Sequence, residues 1–131
     1  MLPTLVTHLK EDMSLAAMLA EGLAGPAVFL DWAPDHDRPY MTLSYTESLD
    51  TEHVSEGEID VDLWGDGTSA IELEPLRDAV IERLDHVILS TSRGLTRFFW
   101  LGDQPVQEDD PGTVRWRVRI GFRRGRTEHV D

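Results

Sequence analysis

Asp60, Asp62 and Asp66, followed by Gly67, crowd three carboxylates into one short stretch, a density that invites a divalent cation. A calcium loop starting at Asp62 would have Trp64 in its third position and Leu73 in its twelfth, where a bidentate glutamate is required. An EF-hand is therefore excluded. Asp35-His36-Asp37 offers metal-ligand types, but three consecutive residues do not readily converge on one ion, and prolines flank them in a loop. The five histidines, His8, His36, His53, His86 and His129, lie far apart and show no HExxH spacing. Gly65-Asp66-Gly67 lacks a third glycine and a GK[ST] sequel, so it reads as a turn and not as a phosphate cradle. Gly121 and Gly125 flank arginines, a weak signal for anions. No serine stands in a GxSxG elbow. The absence of cysteine removes disulfides, thiol catalysis and Cys-ligated zinc or iron–sulfur sites. No catalytic, cofactor-binding or metal-binding residue is assigned, and the chain is read as a non-enzyme.

The charge is more informative. The formal net charge is −13, from 25 acidic and 12 basic residues. Residues 1–110 carry 23 acids and 6 bases, whereas residues 111–131 carry 6 bases and 2 acids. All six of those late bases are arginines: Arg115, Arg117, Arg119, Arg123, Arg124 and Arg126. Arginine's planar fork of donors and weak hydration suit paired or interfacial positions. An overall charge this negative repels phosphates, so stable nucleic-acid binding is not expected, although a Trp/Arg-rich strand could stack on bases. No apolar run approaches the ~20 residues of a membrane helix, and the N-terminus lacks a basic-then-apolar leader. The default compartment is the cytoplasm of a producing cell.

The elements that must carry these charges follow from periodicity. With 131 residues, 40% of them apolar, one domain spanning 1–131 with one core is expected. Leu5, Leu9, Met13, Ala16, Ala17, Ala20 and Leu23 follow a helical period, opened at Pro3 or Thr4 and stopped by Gly22 and Gly25-Pro26. Ala27–Leu30 and Tyr40–Tyr45 read as strands, and the acidic stretch 47–57 as a long loop. Glu58 to Trp64 alternates strictly, with Ile59, Val61 and Leu63 opposite Glu58, Asp60 and Asp62. A second helix is expected over Ser69–Leu84, regular from Glu74 with Pro75 in its first turn. His86–Leu89 and Leu95–Leu101 read as strands, and Gly102–Gly112 as a second acidic loop. In the last strand Val114, Trp116, Val118, Ile120 and Phe122 point one way, and Arg115, Arg117 and Arg119 the other. The fold class is α+β: a mixed, largely antiparallel sheet of about five strands with two main helices on one face.

The layout resembles the tail-terminator (tail-completion, head–tail joining) proteins of long-tailed bacteriophages and of phage-derived gene transfer agents. The resemblance rests on Arg38-Pro39-Tyr40-Met41-Thr42-Leu43, then a long polar loop, then Glu58-Ile59-Asp60-Val61-Asp62-Leu63-Trp64 ending in an aromatic. A turn leads into a helix ending Leu76-Arg77-Asp78-Ala79-Val80-Ile81-Glu82-Arg83-Leu84-Asp85, and the last strand ends at Phe122-Arg123-Arg124. Order and spacing agree over roughly residues 4–124, while Pro75 and the very acidic loops depart from the pattern. The resemblance implies a small structural subunit, without catalysis, that assembles in the host cytoplasm into a ring, typically a hexamer. In the virion that ring would cap the tail tube and join it to the head connector, making tail-tube and head-connector proteins its partners.

In a closed ring one patch on each subunit must complement a different patch on the next. Arg115, Arg117, Arg119, Arg123 and Arg124 against Glu58, Asp60 and Asp62 are the candidate inter-subunit contacts. The same residues could instead face each other inside one sheet, as cross-strand pairs worth ~0.2–1 kcal/mol each. Glu52, His53 and Glu56 in one acidic loop, and Glu108, Asp109 and Asp110 in the other, are candidate contacts to tail partners. An acidic lumen would let DNA pass without adhering. The reading from a different class is a small-molecule-binding α+β domain, which would need an apolar pocket around Trp64, Trp100 and Trp116.

Overall fold

A computed structural model describes residues 1–22, 25–32, 37–50, 54–91 and 94–125. The N-terminal apolar period forms two helices, α1 (Leu2–Lys10) and α2 (Met13–Met18), where the sequence suggested one. The break comes at Glu11-Asp12, because Asp12 is extended and its Oδ1 accepts the Leu15 amide at 3.0 Å, capping α2. Two short pairs of residues, β1 (Glu21–Gly22) and β2 (Gly25–Pro26), form a separate two-stranded sheet.

The main sheet has six strands where about five were expected. They are β3 (Val28–Leu30), β4 (Tyr40–Asp50), β5 (Val54–Asp66), β6 (Ile88–Thr91), β7 (Gly94–Val106) and β8 (Thr113–Gly125). Their spatial order is β3-β4-β5-β8-β7-β6, parallel between β3 and β4 and antiparallel elsewhere. Between β5 and β6 a 3₁₀ turn, Ala70–Leu73, runs into helix α3 (Glu74–Leu84), with Pro75 in the first turn where its missing N–H costs nothing.

Two expected loops are shorter than the sequence suggested. Residues 47–50 and 54–57 extend β4 and β5, with Glu47 opposite Glu58 and Asp50 opposite Ser55. Backbone pairing with β4 on one side and β8 on the other satisfies β5 as far as Val54, so this end needs no apolar face to be a strand. Likewise 102–106, expected in a loop, continues β7 past a register shift between Trp100 and Gly102.

The core lies between one face of the sheet and the helices. Ile59, Val61 and Leu63 of β5 and Val118, Ile120 and Phe122 of β8 are buried against Leu5 and Leu9 of α1 and Val80 and Leu84 of α3. Two glycines permit close approach. A Cβ on Gly65 would press on Leu73, and one on Gly121 would enter the Phe99 ring that lies over it.

Candidate functional site: a ladder of paired charges on the outer face

The face of the sheet away from the helices is built by the polar halves of β5 and β8. Strict alternation places Asp60 and Asp62 on it, and the antiparallel register sets Asp60 opposite Arg119, Asp62 opposite Arg117 and Trp64 opposite Arg115. Arg117 grips Asp62 with both arms, Nε to Oδ1 at 2.9 Å and Nη2 to Oδ2 at 3.2 Å. The same Nε lies 3.5 Å from Asp60 Oδ2, and Arg119 Nε reaches Asp60 Oδ1 at 3.4 Å. The pairing, led by the hydrogen bonds to Asp62, raises the Arg117 pKa above its ordinary value against the opposing effect of burial. Asp60 and Asp62 are themselves buried, at 7% and 8% exposure, so these are shielded pairs and not solvated ones. Within the single chain, Asp60 and Asp62 pair with Arg117 and Arg119 inside one sheet.

The ends of the ladder differ. Toward β3, Arg115 lies over the Trp64 ring at 4.8 Å and its Nη1 binds Glu108 Oε1 at 2.9 Å. Trp64 donates from Nε1 to Thr42 Oγ1 and stacks on Tyr40. Glu108 is thereby tied back onto β8, Asp110 accepts a hydrogen bond from Thr113, and Asp109 is exposed. At the other end Glu58 faces Gly121, which offers no charge. Glu56 lies opposite Arg123 but only at 3.9 Å, with both side chains well exposed. Arg124 lies opposite Thr96 on β7 and Ser55 on β5. Glu52 and His53 fall outside the described residues, as do Arg126 and the Asp35-His36 part of the possible metal triad.

The acidic stretch that invited a cation is committed to arginines instead: Asp60 and Asp62 as above, and Asp66 to Arg38 at 3.0 Å. The three tryptophans do not share a pocket. Trp64 is on the outer face, whereas Trp100 and Trp116 lie on the helix side and both donate their indole N–H to Asp103, at 3.1 and 2.9 Å. Arg77 of α3 completes that cluster, 3.5 Å from Asp103 and stacked on Trp116. Sequence reasoning passed over Asp103 because it placed the residue in a loop. The extension of β7 is what brings it beneath Trp116.

Two shallow clefts of about 260 and 290 Å³ flank Leu101 on the outer face. One is edged by Gln104, Arg117 and Arg119, the other by Glu56, Glu58 and Phe99. Both are open and charged, unlike the enclosed apolar pockets that hold small ligands.

Comparison with known proteins gives a consistent picture. Residues 3–123 match the family model described as tail completion protein gp17. Among solved structures, a chain of the virion of a native gene transfer agent particle superposes with a TM-score of 0.74 at 18% identity, covering 92% of this chain and 91% of that one. A second solved chain superposes with a TM-score of 0.62 at 11% identity, covering 94% of each. At these identities the likeness is one of fold. No curated protein sequence matches the chain.

Proposed function

The chain belongs to the tail completion protein gp17 family, and from that premise we propose that it is a structural component of a tailed virion or gene transfer agent particle, not an enzyme. It assembles in the host cytoplasm as a homo-oligomeric ring, a hexamer by resemblance to tail terminators. The ring closes the tail tube and joins it to the head connector. The observation that carries this reading is the family match, which spans residues 3–123 and so takes in all six strands of the main sheet together with the three helices.

The geometry supports a scaffold role. The central outer-face charges, Asp60, Asp62, Arg117 and Arg119, are locked in pairs instead of being held ready for a substrate, and the ladder stiffens the two central strands. Glu58 and Arg123, at the weakly paired end of the ladder, and Arg124, on the opposite face of β8, remain candidate inter-subunit contacts. Asp109, at an exposed turn, is the candidate for touching the tail tube or connector. A net charge of −13 fits a ring that DNA passes without adhering.

Deleting the gene from a producing strain tests the proposal. The expected result by electron microscopy is heads and tails that fail to join, rescued by supplying the chain in trans, with the chain found by mass spectrometry in intact particles. Normal joined particles made without it would overturn the reading.

A further inference from the structure

The sheet carries two uncovered apolar strips, at opposite edges and on opposite faces. At the β6–β7 edge, Ile88 (61% exposed) and Leu95 (59%) sit diagonally on the outer face, and Leu101 (46%), the extra residue at the register shift, lies further along β7. At the β3–β4 edge, Leu30 (41%) and Tyr45 (41%) belong to the helix-side face, since they pair with the core residues Leu43 and Ile59. Trp32, 69% exposed, follows directly after β3.

The charges beside these strips are opposite in sign. Arg97 and Arg123 stand directly across from each other on β7 and β8, both exposed, an arrangement that repels unless an anion comes between them. Among the described residues Arg97 Nη2 reaches only the His86 ring, at 3.3 Å, and Arg123 has only the 3.9 Å contact to Glu56. On the other strip Asp31, exposed and held at φ 62° between Leu30 and Trp32, makes no ion pair with a described residue.

Resting on the ring reading above, we propose that adjacent subunits overlap like shingles. The outer-face β6–β7 edge of one copy slides against the helix-side β3–β4 edge of the next. Ile88 and Leu95 then pack on Trp32 and Leu30, and Asp31 enters between Arg97 and Arg123. The occupant is a second copy of the chain, which presents both halves: the arginine-flanked strip at one edge and the strip carrying Asp31 at the other. Two unlike patches on opposite edges and faces generate a head-to-tail contact, which can close into a ring, whereas a self-complementary patch would stop at a dimer. The facing arginines Arg97 and Arg123, the latter paired only weakly with Glu56, and the exposed Asp31 supply the charge complementarity.

The chain contains no cysteine, so any cross-link between two of its copies comes from the introduced thiols. Particles are purified from producing cells carrying Trp32→Cys, Ile88→Cys or both, and treated with a short bismaleimide. The expected result is a ladder of cross-linked species up to the closed ring in the double variant, and no cross-linking in either single variant. Maleimide labelling of each isolated chain confirms that both thiols are reachable. As a second readout, Arg97→Glu or Asp31→Arg lowers incorporation into particles by about tenfold, and the two together restore it to within about twofold. Cross-linking in a single variant, or none in the double variant while microscopy shows a ring of this chain, overturns the shingled contact and leaves the ring reading standing. Particles that hold the chain outside any ring overturn both.

Discussion

Asp62 and Arg117 meet across the two central strands as a bidentate pair, 2.9 and 3.2 Å long, although 55 residues separate them in the chain. The pair is shielded on the carboxylate side and partly open on the guanidinium side, at 11% and 30% exposure. Its strength therefore falls between that of a surface ion pair and a buried one. Asp62→Ala is expected to destabilise the fold by about 1–2 kcal/mol, because Arg117 loses its principal acceptor and keeps only Asp60 at 3.5 Å. Urea denaturation of Asp62→Ala, Arg117→Ala and the double variant measures it. A coupling energy near zero would show that the pair contributes nothing.

Asp103 accepts from two indoles at once, so its removal leaves two donors without their partner. Asp103→Ala is expected to cost about 2 kcal/mol and to change the emission of Trp116, which is 8% exposed. Asp103→Asn, which can still accept one bond, falls between wild type and alanine. Fluorescence-detected unfolding distinguishes the three.

Phe99 lies over Gly121 so closely that any β-carbon there enters the ring. Gly121→Ala is expected to lower the melting temperature, by the equivalent of about 1–3 kcal/mol for overpacking. Phe99→Leu in the same chain should recover part of the loss. If Gly121→Ala melts like wild type, Phe99 is mobile enough to yield and the contact constrains nothing.

His8 is held between burial and the charge of Arg83, which together lower its pKa below the ordinary 6.5. The unfolded chain therefore binds a proton at this site before the folded chain does. Stability from this group is fully present above about pH 6.5 and is lost as pH falls from there toward the folded pKa. The melting temperature should drop between pH 7.5 and 5.5, and His8→Gln should show a smaller drop. Equal slopes for the two proteins would remove His8 as a contributor.

The net charge predicts no retention of the isolated chain on duplex DNA at physiological salt, measured by electrophoretic mobility shift. Tight binding there would contradict the picture of a lumen that DNA crosses freely.

The residues themselves determined the half-buried strands at 58–64 and 114–122, because strict alternation leaves one face apolar and water drives that face inward whatever the partner is. They also determined the helix from Glu74 with Pro75 at its start, since proline is tolerated only there. Local patterning could not reveal that β4 and β5 run on to Asp50 and from Val54, because those turns of strand are held by neighbouring backbones and not by an apolar face. Alternation alone set Trp64 on the polar face of its strand and Trp116 on the apolar face of the last one, but that Trp100 joins Trp116 at Asp103 depends on the register of β7 against β8. Which carboxylate meets which arginine was decided by the register between β5 and β8, a relation between distant segments that exists only once the sheet has formed. The opposite signs of the acidic chain and its last, arginine-bearing strand were legible from composition. That Asp60 and Asp62 answer Arg117 and Arg119 within one sheet belongs to the tertiary structure alone.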